Sequence, residues 1–519
     1  MKKILKTTII SFIAILTAGC INLNKEPLDM ISGPAVFSDQ ALTETYLYNI
    51  YGYMPCGYGV YEAPGYDGPQ ATGLGWTDLL DGSTDLLRSP ANWNESNGTI
   101  IPGLMSSTYN PHEVWAVRYH AIRKANNMLA NLETIPLPED FKKRINGETR
   151  FLRAFMYFDL VRRYGDVPLI KELQNYDNLQ EILVPRNTKE EIYDFIESEL
   201  EEVGDNLLPH VKDLAASDLG RATKEAAWAL NGRAMLFAER YERSAYFSRK
   251  VIDENYYELN NDYNKLFQSH GGDKEVIFEV LFDGQKKGHG ADLLYMPPSL
   301  DNGWGSQTCP TQEIVDSYEM LDGTPFDWNN PVHAANPYSG RDKRLQASII
   351  VDGAVFKGKV IRTGYLMPDD GLGLIERTNT GYYIRKFLDE TVPFEKLIPY
   401  KSSSTSWKEI RMGEVYLNYA EAQNEANKGP DDSVYEAMKQ IRTRAGLPTL
   451  PTGLDYNQMK ERVIHERKVE LAFEGHRFWD LRRWKMAEDV LNGKYFHGIK
   501  ITEDEVTKIK SYERFEVNT

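Results

Sequence analysis

The sequence predicts a mainly α-helical protein, a scaffold of tetratricopeptide-like helical hairpins carrying a large, irregular, loop-rich part. Three observations predict it. Apolar residues recur at helical spacing in clusters along the chain. Small residues stand where paired helices of these clusters would cross. Long stretches between the clusters carry the Gly, Pro and Asn of loops.

The first helical cluster covers residues near 40–53 and 112–164, with a loop over 56–111 between them. The second covers 188–203 and 222–254. In its RATKEAAWALNGRAMLFAERYERSAYFSRKVIDEN, Ala226, Ala229 and Gly232 allow two helices to approach, and Phe237, Tyr241 and Tyr246 are expected to fill the groove. Loops then run through 261–405. The third cluster spans 406–427, 431–445 and 456–487. There Met412, Val415, Leu417 and Tyr419 join small Ala420 and Ala422 on one helix, Gly429-Pro430 stops it, and Asp431 or Asp432 caps the next. Long insertions separate the hairpins, so a regular solenoid is not expected.

The last helical stretch contains FEGHRFWDLRRW, Phe473 to Trp484, with upstream HERKVE, His465 to Glu470. Carboxylates beside histidines are the material of acid and base catalysis. Spacing argues against that role. On a helix continuing from about Met459, Glu474, Arg477, Asp480 and Arg483 stand three apart and are expected to pair with each other along one face. On that helix His465 and His476 would be roughly 16 Å apart, too far to share an ion. HERKV also has Val469 where a zinc-protease motif needs its second His. The expected role is structural, with Gly475 marking close packing.

Length and composition place the chain among globular proteins: 519 residues, 41% hydrophobic and 12% aromatic. A formal net charge of -16 removes the attraction for phosphate backbones, so no nucleic-acid partner is expected. The N-terminus MKKILKTTIISFIAILTAGC has basic Lys2, Lys3 and Lys6, a short apolar run, and small residues ahead of Cys20. It reads as a signal peptide over 1–19. Thr17-Ala18-Gly19-Cys20 resembles a bacterial lipobox, which makes Cys20 the lipidated residue and 20–27 a tether holding the protein at a membrane. Only Cys56 and Cys309 then remain, and sequence does not say whether they pair.

RKVELAFEGHRFWDLRRW, Arg467 to Trp484, resembles the C-terminal signature of the SusD/RagB family of nutrient-binding outer-membrane lipoproteins. RFLRAFMYFDLVRRYGDVPLI, Arg150 to Ile170, is similar to the family's N-terminal signature. GRATKEAAWALNGRAMLF, TQEIVDSYEMLDG, GRDKRL and IRMGEVYLNYAEA follow in the same order. The resemblance implies an N-terminal SusD-like region over 28–260 and a C-terminal region over 261–519. It also implies an outer-membrane protein facing the exterior, partnered by a SusC-like TonB-dependent transporter, with no cofactor. CINLNKEP lacks the acidic run that helps export some such lipoproteins, so display at the surface rests on the resemblance alone. The chain stops at RFEVNT, where family members usually continue into a short tail, and truncation is expected in preference to divergence.

The ligand residues must come from residue chemistry. Gly75 to Gly98 holds Trp76 and Trp93 among Asp81, Asp85, Arg88, Asn92 and Asn94. Leu293 to Pro310 holds Tyr295 and Trp304 beside Pro and Gly. Sugars need this mixture, since C–H faces stack on indoles and hydroxyls pair with planar polar groups. Trp76, Asp81, Arg88, Asn92, Trp93, Tyr295 and Trp304 are therefore the expected oligosaccharide site. No catalytic residue or metal ligand is assigned, since GxSxG, P-loop, HExxH, clustered CxxC and EF-hand motifs are missing from the sequence. A peptide-binding member of the family is the alternative. A glycosidase using Asp81 and Asp85 is the weakest reading.

Overall fold

The computed structural model describes residues 36–58, 79–300, 305–393 and 402–517, apart from Asn92, Glu95, Ser107 and Thr134. Its principal elements are, in chain order, α1 (Gln40–Tyr51), β1 (Leu87–Arg88), α2 (Trp115–Leu132), α3 (Glu139–Tyr164), α4 (Lys189–Glu202), α5 (Lys224–Phe237), α6 (Tyr241–Asp253), β2 (Val276–Val280) and β3 (Cys309–Pro310). Then come α7 (Lys343–Ser348), β4 (Trp407–Arg411), α8 (Met412–Asn427), α9 (Asp432–Ala445), α10 (Tyr456–Glu470), α11 (His476–Arg483), β5 (His497–Glu503) and β6 (Lys510–Glu516). Short helical turns and two-residue strands fill the long connections. The chain is mainly helical, as its periodicity predicts. No helix of the described residues is long and apolar enough to cross a membrane.

Helices pack as successive hairpins: α2 on α3, α4 between α3 and α5, α5 on α6, and α8 on α6, α9 and α10. The small residues act as their positions suggest. A Cβ on Gly232 would come within 2.7 Å of Ser248 Oγ, and Ser244 Oγ donates to the Gly232 carbonyl at 2.7 Å. Backbones therefore touch at this crossing, where only glycine fits. Asp431 is the cap of α9, accepting from the N–H groups of Ser433 and Val434. Tyr246 departs from expectation: it lies exposed, edge-on to buried Phe247.

The C-terminal motif is not one continuous helix. α10 ends at Glu470, Phe473 and Gly475 take positive φ of 70° and 79°, and α11 starts at His476. Gly475 thus serves conformation more than close packing, since an added Cβ would meet Leu80 only at 3.8 Å. The break redirects the charges. Of the three expected pairs only Asp480–Arg483 forms, at 2.8 Å. Glu474 instead takes Arg411 and Lys386, and Arg477 takes Asp85.

Arg411, at the end of β4, is the hub of this region. Its guanidinium is buried and reaches Glu275 at 2.8 Å, Glu470 at 2.6 Å and both Glu474 oxygens at 2.7 Å. Arg444 shares Glu275 and Glu470, Arg344 shares Glu470 and Glu466, and Arg442 joins Glu466 to Glu319. β2, α7, α9 and α10 are tied together by charge in a buried interior. A second such knot joins Arg233 to Glu409 and Glu414.

Removing one member of a buried network leaves its partners uncompensated, so Arg411→Ala or Glu470→Ala should destabilise the fold by about 3–5 kcal/mol in a denaturant melt. Acid should act in the same direction. Burial alone would raise the Glu414 pKa, but the Arg233 charge outweighs it and holds the carboxyl at about 2. The stability this group contributes is complete above its unfolded value of about 4.3 and is lost as pH falls through about 2. Glu414→Gln should flatten the melting curve against pH in that window, and an unchanged acid limb would contradict the assignment.

Candidate functional site

The two aromatic-bearing segments that sequence singles out are far apart in the chain and adjacent in the fold. β1 and β3 pair antiparallel, with Leu87 opposite Pro310 and Arg88 opposite Cys309. Thr311 fastens the join by donating its N–H to the Leu86 carbonyl at 2.9 Å and its hydroxyl to that of Asp85 at 2.6 Å. Further out, Asn94 Nδ2 donates to the Gln307 carbonyl at 3.4 Å. A third segment, which the sequence does not single out, completes the group: Asn379 Nδ2 donates to the Ser89 carbonyl at 2.9 Å, and Ser306 Oγ to that of Glu376 at 3.2 Å. Loops 89–98, 305–309 and 374–380 therefore meet, with Trp93 62% and Ile375 89% exposed on them.

The expected ligand residues divide accordingly. Trp93 is exposed. Trp76, Asn92 and Trp304, like Cys20, the expected lipidation site, lie outside the described residues. Asp81, Arg88 and Tyr295 are corrections, since all three are buried. Arg88 lays its guanidinium over the Phe496 ring at 4.0 Å and donates to the carbonyls of Thr84 and Leu87, anchoring the loop from beneath. Tyr295 is 0% exposed and has no face free for a sugar. Asp81 accepts the Gly475 N–H at 3.2 Å. Burial, with the Asp85 charge adding to it, pushes the Asp81 carboxyl up to about 7.

Asp85 accepts from Arg477 at 2.9 Å and Lys468 at 3.0 Å, and these cations hold it well below the usual carboxylate range despite burial. Both carboxylates are buried, Asp81 0% and Asp85 4% exposed, which leaves a sugar no path to them. Burial lowers the pKa of His476, the histidine of the C-terminal motif, to about 4. Cys56 and Cys309 are free buried thiols, with pKa values raised to about 12 by burial.

Two other clefts compete less well. One of about 470 Å³ has Tyr338 and Tyr512 on its wall, but its Asp352 is taken by Lys510 and by the N–H of Thr363, and its Arg385 by Glu390. Another, of about 360 Å³, is lined by Arg162, Arg240 and Arg483, each already paired with a carboxylate. The three-loop surface instead combines an exposed indole with loops joined to one another by hydrogen bonds.

The architecture is a helical-hairpin scaffold presenting a loop-built surface. The chain matches the SusD family over residues 274–518, and over 79–236 a SusD-like group described as "Starch-binding associating with outer membrane". A SusD-like protein of Formosa agariphila is 26% identical over 396 residues, 72% of each chain. A SusD-like crystal structure from Bacteroides fragilis is 29% identical and superposes with a TM-score of 0.75, covering 95% of this chain and 94% of that one. Another from the same species, called a SusD-like carbohydrate-binding protein, shares the fold at 23% identity and a TM-score of 0.78, covering 93% and 96%. The protein belongs to the SusD/RagB family.

The folded-state pKa of Asp81 lies above its unfolded value of about 3.9, so the proton favours the fold. That contribution is complete below about pH 4 and is lost as pH rises through about 7. Asp81→Asn should therefore gain stability relative to the parent between about pH 5 and pH 8, by up to a few kcal/mol in paired melts. A difference that does not vary with pH would show that Asp81 does not titrate in the folded protein.

Proposed function

We propose that the protein binds an oligosaccharide without cleaving it, at the exposed face of loops 89–98, 305–309 and 374–380. The observation that carries this is the convergence of the loops around exposed Trp93. An indole offers a stacking face to the C–H side of a sugar ring. Trp304, Trp76 and Asn92 are proposed as further members, by chain proximity to the paired strands. The family description and the name of the second Bacteroides fragilis structure support a carbohydrate ligand.

In the same reading the protein is anchored to the outer membrane through a lipid on Cys20, faces the exterior, and passes its ligand to a SusC-like TonB-dependent transporter. Loops held on a rigid base lose little entropy on binding, and modest affinity permits release to a transporter.

Each stacked ring contributes about 0.5–1.5 kcal/mol, so Trp93→Ala should weaken glycan binding about 2- to 10-fold, and Trp93→Ala with Trp304→Ala more. Calorimetry against a glycan panel reads this. Binding of peptides alone, or unchanged glycan binding in the double variant, refutes the site. Cys20→Ala should move the protein from the membrane fraction to the soluble one; retention at the membrane would refute the anchor.

A further inference from the structure

Most buried acids of this protein are matched by guanidinium or ammonium groups: Asp159 by Arg118, Glu470 by Arg411, Asp480 by Arg467. One cluster in the helical scaffold is not. His210 lies in the connection from α4 to α5, Glu225 in the first turn of α5, and Glu254 at the end of α6. His210 Nε2 is 2.9 Å from Glu254 Oε2, and Nδ1 is 3.1 Å from Glu225 Oε1. One donor atom from each residue can be chosen so that all three lie within 4.8 Å of one another. Among the described ion pairs, neither glutamate meets a Lys or Arg.

Glu225 is the residue that calls for a ligand. Its side chain is wholly buried, its Oε2 accepts the Val211 N–H at 3.1 Å, and its Oε1 has no hydrogen-bond partner. The nearby Nδ1 is already an acceptor, taking the Lys212 N–H at 3.1 Å. A ring nitrogen that accepts carries no proton to give, so Glu225 Oε1 faces a lone pair. Two acids and an imidazole thus converge with no cation among them, and the Tyr256 ring stands edge-on to the imidazole at 6.0 Å.

We infer that His210, Glu225 and Glu254 form a divalent-metal site, suited to Zn²⁺, that staples the α4–α5 connection to the end of α6. One imidazole nitrogen and two carboxylate oxygens form a donor set that Zn²⁺ accepts, with water completing its four positions. With Nδ1 occupied by the Lys212 N–H, Nε2 is the nitrogen left for the ion. Its 2.9 Å from Glu254 Oε2 is near the roughly 3.3 Å edge of a tetrahedral ion with bonds of about 2.0–2.1 Å. The 3.1 Å to Glu225 Oε1 is measured from Nδ1, so Glu225 would close in on the ion from within the 4.8 Å spread of the cluster. Ca²⁺ needs about six to eight oxygens and is poorly served here. Glu254, partly exposed, opens the site to solvent.

The test uses the full chain, stripped with a chelator and titrated with ZnCl₂ and, in parallel, CaCl₂, by calorimetry and thermal melting. The expected result is one zinc per chain with a raised melting temperature, and no response to calcium. His210→Gln and Glu225→Gln, with parental circular dichroism, should bind at least about 10-fold more weakly and lose the thermal shift, and Glu254→Gln should be intermediate. If Glu225→Gln does not fold, the other two variants carry the test. Absence of zinc binding, equal binding in His210→Gln and Glu254→Gln, or a preference for calcium overturns the assignment.

Discussion

The contact between the buried Arg411 guanidinium and the carboxylates of Glu470 and Glu474 holds the C-terminal half of this protein in register. Neither partner could remain charged in that interior alone. Together with Arg344, Arg442, Arg444 and Lys386 they neutralise one another at the point where β2, β4, α7, α9 and α10 come closest. Such a network adds little net stability over an apolar core of equal volume, but it tolerates one arrangement of its members far better than any other. Its worth here is in fixing where the chain goes after α10.

The segment leaving α10 connects the interior to the proposed ligand surface. Glu474, locked by Arg411, precedes Gly475, whose N–H holds Asp81, and Arg477 two residues on grips Asp85 together with Lys468. Asp85 leads directly to β1, and β1 pairs with β3. A continuous path of charge and hydrogen bonding therefore runs from the interior to the flanks of the exposed loops. The crowded charges of FEGHRFWDLRRW, which at first suggest catalysis, are that path.

Much of the helical scaffold is legible in the sequence because helices write their period locally. The hairpin crossing at Gly232 and the cap at Asp431 are readable because each depends on residues nearby in the chain. Gly475 is ambiguous: glycine signals either close approach or positive φ, and only the fold separates them. The partners of Glu474 and Arg477 lie 63 and 392 residues away, beyond any periodic rule. Asp81, Arg88 and Tyr295 mislead because loop composition does not imply exposure where long insertions cover one another. The hairpin of β5 and β6 and the loop at 374–380 carry no signal strong enough to single them out. His210, Glu225 and Glu254 have separations that match no metal motif, since three different elements supply them.

The central claim is that a rigid, charge-locked scaffold carries the binding surface while taking no part in binding. Amide hydrogen exchange of the full chain with and without a bound glycan tests this most directly. Slow exchange in β4, α8 and α10 in both states, with added protection confined to residues 89–98, 305–309 and 374–380, is the result this structure predicts. Protection that instead appears across Phe473 to Trp484, with those loops unchanged, would place the ligand on the motif itself and contradict it.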